Sequence, residues 1–415
     1  MMNPSLTPSP SHSPAPSLPR SPAPLRLCYV LLSPTFGMHQ YTADYANRMV
    51  AAGHEVHLVT TSTYPADRYA PDVQVHTPVT THDTGFSIEG VLGLFSALKR
   101  LGVSTFTRLH VDTFTRFHLV HFTGPHLWNP FLLSHLRRLG IPTLHSLHDL
   151  DPHPGSAYGP LLHLWNTAVL RGASHILVHG QRYRERLARY PVTCLPLLHL
   201  FLGYEVGSRL EIWGHEPKLP ASPPLSLSPA PSFSPSLTAL FFGRLEPYKG
   251  VTVLLEAWAR AKSQGLPGRL ILAGEGDLTR LWTGELPPDV ELRHRRLEDA
   301  EALTLFQQCS LVVLPYTGAT QSALIPAAYF FGKPVIATRS GALEEYVEEG
   351  RTGWLVPPGD PLALARALQE SLGHAGRLQD FGQNGRLWYT TRRTCEETSL
   401  LQLYKKMCEQ GDTAM

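Results

Sequence analysis

Short apolar runs recur along the chain and alternate with amphipathic or polar segments. Residues 25–32 form the first apolar run, a loop and a predicted helix over residues 40–52 follow it, and residues 56–60 form the next run. A continuous apolar run is typical of a parallel strand that is buried on both faces, so this order predicts a β-strand, α-helix, β-strand unit. Further strands are predicted at residues 119–122, 143–147 and 176–179.

A second alternating series begins after a segment that is rich in proline and serine. Residues 218–235 cannot form a helix or a central strand, because proline lacks the N–H group that both need, and we interpret them as an interdomain linker. Strands of the second series are predicted at residues 238–242, 269–273, 290–292, 311–314, 334–337 and 353–356. The pattern predicts an α/β fold of two Rossmann-like, doubly wound parallel-sheet domains, with a ligand cleft between the carboxyl ends of both sheets.

These patterns divide the chain into four parts. They are a disordered Pro/Ser tail (1–24), an N-terminal domain (25–214), a linker (215–236) and a C-terminal domain (237–387). The length of 415 residues also favours two domains, because single cores stop growing beyond roughly 250–300 residues. The tail has no apolar centre, so we do not interpret it as a signal peptide.

The composition excludes several classes of protein. Hydrophobic residues make up 43% and charged residues 17% of the chain, which predicts a globular protein, and a net charge of +2 does not indicate a nucleic-acid partner. The five cysteines lack C-x-x-C spacing, which favours a reduced, cytoplasmic protein without a disulfide framework or a zinc site. No apolar run reaches the roughly 18 residues that a membrane span needs.

The strongest chemical signal is a pair of cationic residues that follow the first strand of the second series in the sequence. Arg244 and Lys249 lie five residues apart, after the strand at residues 238–242 and just before a predicted helix at residues 251–261. Arginine offers a planar fork of donors and lysine a compact charge, so this turn predicts a site for a phosphate-rich ligand. The alternative is an ordinary turn with two solvated cations.

Several ordered segments of the C-terminal domain resemble the motifs of one enzyme family. They read FGRLEPYKG (242–250), LAGEG (272–276), LPY (314–316), GKPVIA (332–337) and GWLVPPGD (353–360). With these segments the chain resembles the family 4 glycosyltransferases of the two-Rossmann-domain (GT-B) architecture, from about residue 25 to the C-terminus. The resemblance implies transfer of a sugar from a nucleotide-diphosphate sugar with retention of configuration, without a metal or another cofactor. It places Arg244 and Lys249 on the donor diphosphate.

The resemblance also implies roles for residues in both domains. Gly37 would face the cleft from the loop after the first strand, and His148 would contact the donor sugar, although a turn glycine and an ordinary loop histidine remain the alternatives. A C-terminal helix at about residues 388–415 would return to the N-terminal domain. The implied donor-binding residues of the C-terminal domain are Gly243, Gly274, Glu275, Gly276, Arg296, Leu297, Thr320, Gln321, Ser322 and Ala323.

One family signature is missing. The family carries two glutamates eight positions apart at the start of the helix before residues 332–337, and here Ala319 and Ala327 occupy those positions. In one interpretation the enzyme is active, Thr320 and its neighbours bind the sugar hydroxyls, and the leaving phosphate accepts the acceptor proton. In the other, the protein is a non-catalytic relative that binds a sugar nucleotide or a partner. We favour the first, because both cations are retained. A nucleotide-sugar epimerase is disfavoured, because its acid–base chemistry needs carboxylates.

The acceptor cannot be identified from the sequence, and lipid-linked, saccharide and small-molecule acceptors all remain open. Residues 96–140 carry six arginines and lysines against one acidic residue, with apolar residues between them. Such a stretch predicts peripheral contact with an anionic membrane, on its inner, cytoplasmic face. The alternative is an ordinary solvated helix face.

Overall fold

The computed structural model of the protein describes residues 24–33, 35–79, 111–152, 159–200, 203–206, 209–212 and 237–412. Three of the predicted segments lie wholly or partly outside the described residues: the linker (215–236), the tail except for its last residue, and residues 96–110 of the basic stretch.

The N-terminal domain contains one parallel sheet with helices between its strands. The strands are β1 (Arg26–Leu31), β2 (Glu55–Thr61), β3 (Gln74–Val79), β4 (Leu119–Phe122), β5 (Thr143–Ser146), β6 (His175–Val178) and β7 (Val192–Cys194), in the order β3-β2-β1-β4-β5-β6-β7. Among the described residues of this domain, the α-helices are α1 (Phe36–Ala51), α2 (Asn129–Arg138), α3 (Gly159–Gly172) and α4 (Gln181–Arg186). Tyr29, Leu58 and Leu144 are fully buried, as expected for strands that are covered on both faces.

A short antiparallel hairpin, β8 (Gly203–Val206) and β9 (Arg209–Ile212), follows β7 in the chain. The C-terminal domain then contains a second parallel sheet. Its strands are β10 (Thr238–Phe242), β11 (Arg269–Ala273), β12 (Val290–Arg293), β13 (Leu311–Leu314), β14 (Val335–Thr338) and β15 (Gly353–Val356), in the order β12-β11-β10-β13-β14-β15. The helices are α5 (Val251–Ser263), α6 (Asp299–Gln308), α7 (Leu324–Phe330) and α8 (Pro361–Leu372). The two parallel sheets confirm the predicted α/β, doubly wound fold class.

The order of strands fixes where a ligand site can form. In each sheet the chain reverses its direction of winding between two central neighbours, β1 and β4 in the first and β10 and β13 in the second. The loops that follow these strands separate at the carboxyl edge of the sheet and leave a crevice there. Every predicted site residue that follows β1, β10 or β13 therefore lies at such a crevice.

The last helix, α9 (Ala375–Asp412), contacts both domains. Its Trp388 packs against Tyr329 of α7 with ring centroids 5.5 Å apart. Nearer its end, the Tyr404 hydroxyl lies 3.1 Å from the hydroxyl of Tyr29 and 2.7 Å from Nδ1 of His121, both in the first sheet. A single helix therefore ties the two sheets together.

Four buried charges attach α9 to α1. Arg393 of α9 donates to Asp44 at 2.5 Å, and Arg48 donates to Asp44 at 2.9 Å and to Glu396 at 3.0 Å. Burial raises the pKa of Asp44, but Arg393 and Arg48 outweigh that effect and lower the pKa to about 2. Because every member of this cluster has a charged partner, the cost of removing these charges from water is offset by their attraction.

Candidate functional site

The loops after β10 and β11 pack against each other without side chains between them. The backbone of Gly274 has φ 150°, and a Cβ atom there would lie 2.0 Å from the carbonyl oxygen of Gly243. Gly276 has φ 142°, and a Cβ atom there would lie 2.6 Å from the carbonyl oxygen of Leu245. These glycines allow the two backbones to approach closely, which fixes the turn that carries the cationic pair.

Lys249 is held in a defined position at this turn. Its Nζ donates to the hydroxyl of Tyr316 at 3.1 Å and lies 4.6 Å from the centre of that ring and 5.7 Å from the ring of Tyr248. Burial lowers the pKa of Lys249, but the two tyrosines raise it more, so the pKa is above its ordinary value. The side chain is therefore a protonated, positioned ammonium group at neutral pH.

Arg244 is placed differently. Its side chain is 64% exposed and its guanidinium group pairs with Glu246. Exposed ion pairs contribute little free energy, so a more strongly charged anion can displace the carboxylate. The turn therefore combines one fixed cation with one cation that can move to meet a ligand.

The loop after β13 lies directly beside the Lys249 turn. The backbone N–H groups of Thr317 and Gly318 donate to the carbonyl oxygen of Tyr248, at 2.8 and 3.4 Å. On its other side, Gly341 approaches so closely that a Cβ atom there would lie 1.6 Å from the carbonyl oxygen of Ala319. The loop is therefore fixed between two neighbouring segments.

The predicted sugar-binding residues occupy this loop rather than a helix. The sequence pattern placed Thr320, Gln321 and Ser322 at the start of the helix, whereas α7 begins only at Leu324. The Ser322 hydroxyl accepts from the N–H of Leu324 at 3.3 Å, and Pro326 lies in the first helical turn, where the missing N–H of proline is tolerated. These two features begin the helix later than predicted.

Gln321 offers an unused acceptor in this loop. Its Oε1 is buried and accepts no hydrogen bond from any described residue. A buried oxygen without a donor is unfavourable, and a hydroxyl group of a bound ligand would satisfy it.

The N-terminal domain contributes a second group of predicted residues. The ring of Phe36, next to Gly37, lies between two guanidinium groups, 4.8 Å from Arg68 and 4.5 Å from Arg296 of the opposite domain. Arg68 also pairs with Asp299 at 2.5 Å, a second contact between the domains. Gly37 itself is the second residue of α1, so the predictions of a loop at Gly37 and of a helix that begins at residue 40 were wrong. The structure brings the start of α1 and Arg296 together, although they belong to different domains.

His148 is buried and neutral. Its Nε2 donates to the carbonyl oxygen of Thr123 at 2.9 Å, and its ring packs edge-on against Tyr41. Burial lowers the pKa of His148. Its Nδ1 has no hydrogen-bond partner among the described residues, so this nitrogen remains an acceptor.

Asp149 links the two sides of the cleft, a contact that the sequence did not reveal. Its carboxylate accepts from the hydroxyl of Thr320 at 2.8 Å, and Asn166 of α3 donates to the carbonyl oxygens of Asp149 and Leu150, at 3.1 Å each. Asp151, the other acid of this D-x-D sequence, pairs with Arg186 at 2.5 Å. In the sequence, the one indication of this role was that Asp149 follows β5, at the carboxyl edge of the sheet.

A cavity of about 280 Å³ lies between the domains at this contact. Ala319 lines it, at a position where the family resemblance predicts a glutamate, so the missing carboxylate leaves space. The lining residues are Asp151, Pro152, Arg182, Tyr183 and Arg186 on one wall and Gly318, Ala319, Thr320, Ser340 and Gly341 on the other.

Neither a metal site nor a membrane-spanning helix is found among the described residues. No group of three or more histidine, cysteine, aspartate or glutamate side chains in the described ranges has a geometry that could hold a metal ion. Within the same part of the chain, no helix combines the length and the apolar character that crossing a bilayer requires.

Comparisons with known families match both domains. Residues 36–193 match the model described as a glycosyl transferase 4-like domain, and residues 236–374 match the model described as glycosyl transferases group 1. Together the two matches span well over half of the chain.

Curated relatives carry similar descriptions. D-inositol 3-phosphate glycosyltransferase 2 of Catenulispora acidiphila is 26% identical over 375 residues, which cover 84% of each chain. Phosphatidyl-myo-inositol mannosyltransferase of Mycobacterium leprae is 32% identical over 151 residues, which cover 34% of this chain and 40% of that protein.

Solved structures share the fold over nearly the whole chain. Sucrose-phosphate synthase from Thermosynechococcus elongatus aligns with a TM-score of 0.65 at 19% identity, over 92% of this chain and 99% of that one. Anabaena HepE, solved in complex with UDP-glucose, aligns with a TM-score of 0.63 at 16% identity, over 94% of this chain and 100% of that one.

Proposed function

Since the chain belongs to the group 1 glycosyl transferases, we propose that it moves a sugar from a nucleotide-diphosphate sugar to an acceptor hydroxyl with retention of configuration. The protein is a glycosyltransferase, and its fold is the two-domain GT-B fold of the structures that align with it. The nature of the donor, the stereochemistry and the acceptor class are the parts that we propose.

The position of Lys249 carries the proposal for the donor. A protonated ammonium group lies at the carboxyl edge of the second sheet, beside the turn that holds Arg244 and beside the loop after β13. As the bond between the sugar and the diphosphate breaks, negative charge builds up on the leaving phosphate. A cation that is already fixed there stabilises the transition state more than the ground state, and this difference accelerates the reaction.

We propose that the sugar lies between this cationic pair and the N-terminal domain. The Gln321 Oε1 and the His148 Nδ1 are buried acceptors without a described partner, and both suit sugar hydroxyl groups. In the retaining step, the acceptor oxygen bonds to the anomeric carbon on the face that the phosphate leaves. The bond to the phosphate breaks, and the acceptor proton passes to the departing phosphate oxygen.

The proposal includes neither a metal ion nor another cofactor. Arg244 and Lys249 supply the positive charge that a divalent cation would otherwise bring to the diphosphate. A cytoplasmic location is part of the proposal and is supported by the free state of all five cysteines. The acceptor class stays open among lipid-linked, saccharide and small-molecule hydroxyls.

Release of nucleoside diphosphate tests this function. The purified protein is incubated with UDP-, GDP- and ADP-sugars, with and without a chelator, and the released nucleoside diphosphate is measured. We expect release from at least one class of donor, and the chelator should not reduce it. Binding of a donor without any release would instead favour the non-catalytic interpretation.

We expect Thr320→Val to lower kcat/KM for the donor by about tenfold, because hydrogen bonds to charged groups contribute about 1.5–3 kcal/mol. The substitution removes the hydroxyl group that donates a hydrogen bond to the Asp149 carboxylate across the cleft. Thr304→Val is the matched control, because its exposed hydroxyl bonds only within α6, to the carbonyl oxygen of Ala300. Equal rates for the wild type and both variants would mean that the Thr320–Asp149 contact has no part in turnover.

A further inference from the structure

Helices α2 and α3 present exposed apolar side chains next to arginines. The described residues with large, exposed hydrophobic side chains are Phe131, Leu139, Leu164, Leu362 and Leu387, and the first three of these five lie on or directly after α2 and α3. Phe131 is 60% and Leu164 71% exposed. We call the outer face of these two helices, with Leu139, the α2–α3 surface.

The two helices lie side by side and run in the same direction. The ring nitrogen of Trp165, in the middle of α3, donates at 2.9 Å to the carbonyl oxygen of His126, three residues before α2 begins. Near their ends, Arg137 donates to the carbonyl oxygen of Arg171 at 2.6 Å. Equivalent positions of both helices therefore form one continuous surface.

Each helix has the same order of exposed residues. The exposed positions of α2 begin with Phe131 and end with Arg138, and those of α3 that include Leu164 end with Arg171. Phe131 and Leu164 therefore precede the arginines in both helices, and Leu139 adds an apolar side chain beside Arg138.

The charge of this surface has one sign. Helix α2 has 10 residues and α3 has 14, and their sequences contain Arg137, Arg138 and Arg171 but no aspartate or glutamate. Exposed apolar side chains beside cations are the combination that binds the interface of an anionic bilayer. The apolar groups enter the acyl boundary, and the cations meet the lipid phosphates.

We propose that the α2–α3 surface docks on anionic lipid membranes. Helices α2 and α3 follow β4 and β5, so they begin at the carboxyl edge of the sheet, on the side of the cleft. Phe131 is the third residue of α2, and Leu164 is two residues from Asn166, which holds the Asp149 loop. Phe131 and Leu164 therefore lie nearer the cleft than the arginines of the same helices.

Docking at this position would also narrow the choice of acceptor, and that step rests on the proposed function. A membrane at the α2–α3 surface would adjoin the mouth of the cleft, where an acceptor hydroxyl on a lipid could enter without leaving the bilayer. The inference therefore selects a lipid-linked acceptor from the three classes that remain open. The docking step itself does not depend on a sugar donor.

Vesicle flotation of the full chain tests the docking. Vesicles contain phosphatidylcholine alone or mixed with phosphatidylglycerol, and no donor is present. We expect flotation only with the anionic vesicles and a loss of flotation in high salt. We expect Arg138→Glu to weaken binding by at least about fivefold, which corresponds to about 1 kcal/mol for one cation near the surface. The double variant Phe131→Ser, Leu164→Ser should bind at least about tenfold more weakly.

Matched controls come from the other domain. Leu387→Ser removes a side chain that is 61% exposed on α9, and Arg366→Glu reverses an exposed charge on α8. Both should float like the wild type, and all variants should keep its melting temperature. Equal loss in the controls would overturn the proposal. Light scattering gives a second test. If the wild type is a dimer and the Phe131→Ser, Leu164→Ser variant is a monomer, the surface binds a second copy of the chain, and the proposal is wrong.

The outcomes separate docking from catalysis. Release of nucleoside diphosphate in solution without flotation would refute the docking and leave the proposed function intact. Flotation without release from any donor would do the reverse.

Discussion

Replacement of Lys249 by methionine is expected to lower kcat by about 10²–10³-fold, which is the cost of removing one preorganised group from a developing negative charge. Methionine fills a similar volume between Tyr316 and Tyr248 but carries no charge. Because the ammonium group acts most strongly on the transition state, kcat should fall more than the affinity for the donor. Steady-state rates of nucleoside diphosphate release at varied donor concentration measure both.

The control for this variant is another partly buried lysine of the same domain. Lys262 lies near the end of α5, where its Nζ donates to the carbonyl oxygen of Leu266 at 2.9 Å, at the opposite edge of the sheet. Lys262→Met should keep kcat within about twofold, since the partners of this lysine, Leu266, Gly268 and Asp289, lie away from the site. Arg244→Ala should lower turnover by at least about tenfold. An unchanged kcat in Lys249→Met would remove this residue from the mechanism.

A fall in pH from 7.5 to 5.5 is expected to remove on the order of 5 kcal/mol from the free energy of unfolding, because buried histidines must remain neutral in the fold. Burial lowers the pKa of His145 and His179 to about 3, and that of His39 and His199 to about 4. In the unfolded chain these groups titrate near 6.5.

Acid lowers the free energy of unfolding because the unfolded chain binds more protons than the folded protein. Between pH 6.5 and about 4 the unfolded chain binds protons at these histidines and the folded protein does not, so acid favours unfolding. Each histidine loses about 1.4 kcal/mol at one pH unit below 6.5. The buried carboxylate of Asp44 has a lowered pKa, so its contribution is lost only below its unfolded value of 3.8 and does not enter this window.

Urea unfolding at several pH values measures the effect. His199→Gln should reduce the pH-dependent loss by about 1.4 kcal/mol. The exposed His374→Gln should leave it unchanged. A free energy of unfolding that stays constant from pH 7.5 to 5.5 would contradict the account of the buried histidines.

The central strands of both sheets could be predicted from the sequence, whereas the edge strands of the first sheet could not. The strands that begin at Thr238 and Arg269 match their predicted bounds, because burial on both faces leaves an unbroken apolar run. The edge strand β3 was missed, since its Pro78 and polar residues weaken the pattern. Three-residue β7 lies at the opposite edge and is too short to give a pattern. The β8–β9 hairpin was also missed.

The start of α9 was predicted too late for a different reason. Glycines normally weaken a helix, and the segment before Trp388 contains Gly382 and Gly385. In the structure they let the helix pack closely. A Cβ atom at Gly382 would lie 2.0 Å from the carbonyl oxygen of Gly332, and one at Gly385 would lie 2.4 Å from the Tyr329 ring. The helix therefore begins at Ala375, because tertiary packing outweighs local propensity.

The candidate site was predictable where one turn carries the signal. Arg244 and Lys249 follow the same strand, so their proximity could be inferred from the chain alone. The Thr320–Asp149 bond joins residues 171 positions apart in different domains. The Arg68–Asp299 pair is also formed across the cleft. Such contacts depend on how two separately folded sheets are oriented, and no local pattern records that.

A crystal structure with the bound nucleoside diphosphate tests the central claim most directly. The account predicts phosphate oxygens within hydrogen-bond distance of the Lys249 Nζ, with the Arg244 guanidinium group turned from Glu246 toward the same diphosphate. A diphosphate bound elsewhere in the cleft, with Lys249 still on Tyr316 and Arg244 still on Glu246, would contradict it.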